Sequence, residues 1–113
     1  MSEFVPTRIE LHQQSKTLEV HFNDGLEYVL PVEYLRVFSP SAEARIARDK
    51  GEWIVGKEAV NIKNLEPVGA YAVRILFDDG HRTGIYSWPV LRELGQDYDA
   101  NWRQYLARTG RTA

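Results

Sequence analysis

The chain has 113 residues, no cysteine and a formal net charge of −2. The missing thiols exclude disulfides, thiolate nucleophiles and cysteine metal sites, and suit a reducing compartment. The near-neutral balance supplies no overall positive field to draw nucleic acid. The length fits a single domain over residues 1–113 that buries roughly two-thirds of its unfolded surface. Its core is expected at residues 7–95 and a C-terminal helix at residues 98–109. No stretch is apolar enough for a membrane span and the N-terminus has no signal-peptide core, so the expected localisation is cytoplasmic.

In chain order, Ile9 and Leu11 share one face of a first strand, and Gln13-Gln14-Ser15-Lys16 is a polar turn. Leu18, Val20 and Phe22 alternate with Glu19, His21 and Asn23, which is strand period. Asp24-Gly25 follows, then Leu26, Tyr28 and Leu30, the grammar of a hairpin. Pro31 opens a short helical segment through Leu35-Arg36. Ser39-Pro40 starts a further helix, which Lys50-Gly51 ends. Trp53-Ile54-Val55 is a short apolar patch, and Val60 with Ile62 begins another strand.

Residues 73–94 are the most informative stretch. Val73, Ile75 and Phe77 alternate with Arg74, Leu76 and Asp78, and Asp79-Gly80 has the composition of a two-residue hairpin turn. Ile85 and Tyr86 lie on the return strand. Ser87-Trp88-Pro89 reads as an N-cap with proline in the first helical turn. Leu91 and Leu94 continue that helix and Gly95 is expected to stop it. Tyr98, Trp102, Tyr105 and Leu106 form one stripe of a last helix, with Asp97 or Asp99 as cap and Gly110 at its end. Residues 1–6 and 109–113 are expected to fray. Arg103, Arg108 and Arg111 read as a cationic helix end complementing the macrodipole.

These elements predict an α+β fold, a mostly antiparallel sheet built from two Asp-Gly hairpins with helices packed on one face. The two hairpins share a pattern. Phe22-Asn23-Asp24-Gly25 matches Phe77-Asp78-Asp79-Gly80, and each leads through a strand and a proline to a Leu-Arg pair. Chance and duplication explain the recurrence about equally well.

Catalytic motifs are missing. Each histidine, His12, His21 and His81, lacks the acid two residues later that a two-histidine, one-carboxylate iron site requires. No glycine-rich phosphate loop is present, and Ser39, Ser41 and Ser87 sit where helix capping is the usual role. Asp78 and Asp79 beside His81 form the one concentrated polar group. A solvated turn is its commoner meaning, and a residual ligand or metal site its functional one.

Gly69-Ala70-Tyr71-Ala72, Phe77-Asp78-Asp79-Gly80-His81, Thr83-Gly84-Ile85-Tyr86-Ser87-Trp88 and Glu33-Tyr34-Leu35-Arg36 together resemble the gamma-butyrobetaine hydroxylase-like N-terminal domain family. Members include small standalone bacterial proteins of unknown function, N-terminal modules of carnitine-pathway dioxygenases, and extensions of iron-sulfur carrier ATPases. In the hydroxylases, the resemblance implies, a structural zinc is held by a Cys-Pro-Cys-x-x-Cys run and the histidine of the Asp-Gly-His turn. Those positions fall here on Ser39, Ser41, Ala44 and His81. Serine is a poor zinc ligand and alanine none. The resemblance therefore implies a member without zinc, in which Ser39 keeps a capping role and Ala42, Ala44 and Ile46 pack against the sheet.

The function expected is a noncatalytic interaction or accessory module with an unidentified protein partner, no cofactor, no nucleic acid and no membrane. Trp88, Trp102 and Tyr105 are candidates for an aromatic contact patch, with core packing the commoner use of each. The alternative is a protein binding iron or zinc through His81, Asp79, Asp78 and Glu43, accessory to iron-sulfur or dioxygenase chemistry.

Overall fold

The computed structural model describes residues 4–111. Among these residues, two three-stranded antiparallel sheets and four helices make an α+β fold. Strands β1 (Pro6–His12), β2 (Thr17–Phe22) and β3 (Glu27–Pro31) form sheet A. They are followed by helices α1 (Val32–Val37) and α2 (Ala42–Asp49). Strands β4 (Ile62–Val68), β5 (Ala72–Phe77) and β6 (Ile85–Ser87) form sheet B, and α3 (Trp88–Gln96) and α4 (Tyr98–Arg108) complete the chain. Among the described residues no helix is long and apolar enough to cross a membrane.

Period-2 patterning places the inward residues. Leu18, Val20 and Phe22 of β2 and Ile75 and Phe77 of β5 are buried. They join Leu30, Val32, Leu35, Tyr86, Leu91 and Tyr105 in one apolar cluster. Burial of this kind stabilises by roughly 25 cal/mol per Å² of apolar surface, so the shared cluster is the main link between the sheets.

The halves are built alike. Both outer strands carry an irregularity near their start, between Pro6 and Arg8 in β1 and between Ile62 and Asn64 in β4. The turn after β2 bonds Phe22 N–H to Leu26 O and Gly25 N–H to Phe22 O; the turn after β5 bonds Phe77 N–H to His81 O and Gly80 N–H to Phe77 O. Gly25 and Gly80 have φ of 91° and 92°, left-handed values that a side chain would strain. Asn23 Oδ1 accepts Val5 N–H, as Asp78 Oδ1 accepts Asn61 N–H.

The two Leu-Arg pairs cross over. Arg92 of α3 makes a bidentate pair with Asp24 of the first turn, at 2.9 and 2.6 Å. Arg36 of α1 bonds Asp79 of the second turn at 2.8 Å. Each guanidinium also lies over the phenylalanine that opens the turn it binds, Phe22 and Phe77. Each half thus clamps the other's turn. Arg92 is sandwiched between Phe4 and Phe22, and among the described residues its buried Nε has no hydrogen-bond partner.

Several local expectations change. Asp79-Gly80 does not close a two-residue hairpin, because Phe77 pairs with His81 and β6 resumes only at Ile85. Gly95 does not stop α3. It lies buried inside the helix, where an added Cβ would come 2.5 Å from the Tyr28 ring, so it is there for close packing. Helix α2 has no buried residue and Ile46 is 54% exposed, so Ala42, Ala44 and Ile46 do not pack into the core. Instead Arg48 reaches the Val37 carbonyl at the end of α1, with its guanidinium over Phe38. The ends are tied where they are described. Pro6 pairs with Phe22, and Arg111 bonds Glu33 and the Tyr105 hydroxyl. Residues 1–3 and 112–113, also expected to fray, lie outside the described residues.

Candidate functional site

His81 sits where the second turn meets the segment between α1 and α2. Its backbone N–H donates to Asp79 Oδ1, and its side chain, only 7% exposed, points at Ser39. Ser39 is fully buried, with Oγ 2.9 Å from His81 Nε2. Gly84 permits this approach, because a Cβ there would come 2.7 Å from Ser39 Oγ.

The Tyr86 hydroxyl donates its one hydrogen to Leu35 O at 2.5 Å. Ser39 Oγ accepts from Ser41 N–H at 3.3 Å and shares a hydrogen bond with His81 Nε2. His81 Nδ1 stands 3.8 Å from the Glu43 carboxylate. Burial, aided by the positive charge of Arg36, pushes the imidazole pKa below its ordinary value. Burial raises the Tyr86 phenol, so it stays protonated.

Ser39 does not cap α2 as expected; Ser41 does, through a 3.3 Å bond from Ala44 N–H to its Oγ. The Ser39 hydroxyl is occupied two residues before the cap, in its bonds to His81 and the Ser41 N–H. Asp78 serves the backbone of Asn61. Partial burial pushes the Asp79 carboxyl up, but bonds from Lys57, the His81 N–H and Arg36 outweigh it and hold the group well below the usual carboxylate range. Both Asp79 oxygens are thereby engaged, Oδ2 at 2.7 Å from Lys57 and 2.8 Å from Arg36. Glu43 accepts a 3.4 Å bond from the Thr83 hydroxyl and stands 73% exposed at the mouth of a cleft of about 300 Å³ lined also by Arg36, Ala44, Arg48, Glu52 and His81.

The structure brings Ser39, Ser41, Ala44 and His81 to one place but turns Asp78 away from it. These residues do not fit a structural zinc ion. The Ser39 oxygen is engaged by His81 and the Ser41 N–H, the Ser41 oxygen caps a helix, and Ala44 has no donor atom. Of the aromatic candidates, Tyr105 is buried, while Trp88 and Trp102 are half-buried against the core.

The sequence reading passed over a second polar group. Glu10 and His12 of β1 lie beside Glu19 and His21 of β2 on the outer face of sheet A. The signal was two Glu-x-His triplets in paired strands, the reverse of the His-x-acid order tested in the sequence.

The family model for gamma-butyrobetaine hydroxylase-like, N-terminal matches residues 9–92. A crystal structure of a protein of unknown function from Acidithiobacillus ferrooxidans, assigned to the DUF971 family, is 38% identical with a TM-score of 0.67, over 80% of this chain and 91% of that one. Two solution structures are also similar. One is 42% identical at a TM-score of 0.78, covering 95% of this chain and 80% of the other. The second is 38% identical at 0.77, covering 98% and 90%. No curated protein matches the chain.

Proposed function

Because the chain belongs to the gamma-butyrobetaine hydroxylase-like, N-terminal family, we propose that it is a noncatalytic accessory module whose zinc positions have been given over to hydrogen bonding. The observation that carries this reading is the bond between buried Ser39 and His81, 2.9 Å long, which does by hydrogen bonding what a metal would do by ligation: it ties the second turn to the segment after α1. The module acts by binding a protein partner, and its His81 cleft requires no cofactor.

The test is thermal unfolding with and without a strong chelator, alongside elemental analysis of wild type and His81→Ala. The melting temperature should respond to chelator no differently in wild type and His81→Ala. Stoichiometric zinc that disappears in His81→Ala would overturn the reading. For the partner, the tagged chain is used as bait beside a charge-matched control. An iron-sulfur or dioxygenase protein enriched only by the chain is the expected result, and no enrichment counts against the interaction role.

A metal-binding reading at His81 has one observation in its favour, Nδ1 facing the Glu43 carboxylate at 3.8 Å. It would engage one imidazole and one exposed carboxylate, since Asp79 and Asp78 are committed elsewhere. Iron uptake equal in wild type and His81→Ala would remove it.

A further inference from the structure

We propose that the outer face of sheet A holds a divalent transition-metal site made by Glu10, His12 and Glu19, with His21 orienting Glu19. The site is separate from the His81 cleft and does not depend on how that cleft is read.

The ladder creates the arrangement. In the β1–β2 register Glu10 faces Glu19, His12 faces Thr17 and Arg8 faces His21. With a side-chain period of two, Glu10, His12, Glu19 and His21 all project from the same face of the sheet. One ligand atom each from Glu10, His12 and Glu19 lie within 4.8 Å of one another. His12 Nε2 is 2.9 Å from Glu19 Oε1 and 3.8 Å from Glu10 Oε2. Ligands around a tetrahedral ion with bonds near 2.0–2.2 Å stand roughly 3.4 Å apart, so these separations bracket the required value. Small rotamer changes would complete the site, with its fourth position open to solvent.

The donor set selects the ion class. One imidazole with two carboxylates suits zinc and its first-row neighbours, whereas magnesium and calcium take oxygen ligands alone. The remaining neighbours fit the role. His21 Nε2 bonds the other Glu19 oxygen, Oε2, the outer contact by which metal sites orient a ligating carboxylate. His21 Nδ1 lies 3.4 Å from Glu27 of β3. Arg8 pairs with Glu10 at 2.5 Å, offsetting part of the negative charge, and an incoming ion must compete with it for that carboxylate. Three ligands on two hydrogen-bonded strands are held in register by the backbone, which limits the ordering needed on binding.

Chelator-treated full-length protein is titrated with zinc by calorimetry and with cobalt by visible absorption. Wild type should bind one ion per chain at micromolar or lower concentration. His12→Ala and Glu19→Gln should each weaken binding at least tenfold, and His21→Ala about tenfold through the lost orientation of Glu19. His81→Ala should leave the isotherm unchanged. Unaltered affinity in His12→Ala, loss of binding in His81→Ala, or saturation only at millimolar metal would overturn the proposal. Circular dichroism checks the fold of each variant. If His12→Ala unfolds, Glu10→Gln on the outer strand replaces it, with the same expected direction.

Discussion

The turns at residues 22–26 and 77–81 share a backbone but not their surroundings. Both open on a buried phenylalanine, both place glycine at φ near 91°, and both are clamped by an arginine from the opposite half. The fifth residue separates them. Leu26 is 44% exposed, whereas the His81 side chain is 7% exposed and bonded to Ser39. The four-residue α1–α2 connection meets the second turn through Ser39, and among the described residues no serine bonds Leu26 of the first turn. Identical turn chemistry therefore yields a structural corner in one half and a candidate site in the other. What makes the site is the segment packed on the turn.

The largest expected effect comes from breaking the contact between the halves. Gly95→Ala would drive a methyl into the Tyr28 ring, an overpacking that costs roughly 1–3 kcal/mol and lowers the midpoint of denaturant unfolding. Gly80→Ala meets open space but keeps a left-handed φ, and should cost nearer ~1 kcal/mol.

Exchanging the fifth residues tests the comparison directly. His81→Leu should destabilise by about 1–2 kcal/mol, since buried Ser39 loses one partner but keeps the Ser41 N–H. Leu26→His should stay within ~0.5 kcal/mol, because that side chain already meets solvent. Equal losses from the two exchanges would mean that the turns are not differently placed.

Acid should loosen the two clamps at different points. The bidentate bonds from Arg92 hold Asp24 at about 2, and Asp79 is held lower still against the opposing effect of its burial. A carboxyl depressed in the folded state contributes stability that is present above its unfolded value near 4 and lost as pH falls through its folded value. Unfolding followed between pH 5 and 1 should therefore steepen below pH 4. Asp79→Asn should remove the part of that slope extending to lower pH than the part removed by Asp24→Asn.

The smallest effect is that of His81. Its folded pKa lies below the ordinary value, so the unfolded chain binds more protons as pH falls below neutrality. Stability should decline gently from about pH 7 towards the folded pKa and then level off. In His81→Leu this decline should vanish, and a slope that persists would rule out His81 as its source.

The α+β class, the hairpin turns and most helix starts were legible locally. Alternation over Leu18–Phe22 and Val73–Phe77 marks strands, and Ser87 followed by Trp88-Pro89 marks a helix start that the structure shows capped from Ser87 to Val90 N–H. Gly95 misled because a glycine required for packing looks, in one dimension, like a glycine that ends a helix. The Ser39 hydroxyl could not be told from a cap because Ser41, two residues on, is an equally good one.

By itself the sequence determined which short segments become strand, turn or helix, because periodicity and turn chemistry depend on neighbours a few residues away. The tertiary structure alone decided that the strands divide into two sheets, that Arg36 and Arg92 exchange turns, and that Ser39 shields His81. It also set Glu10 and His12 beside Glu19. Each of these depends on strand register or on contacts between residues 7 to 68 positions apart. No local pattern encodes such distances; the burial of one shared core sets them.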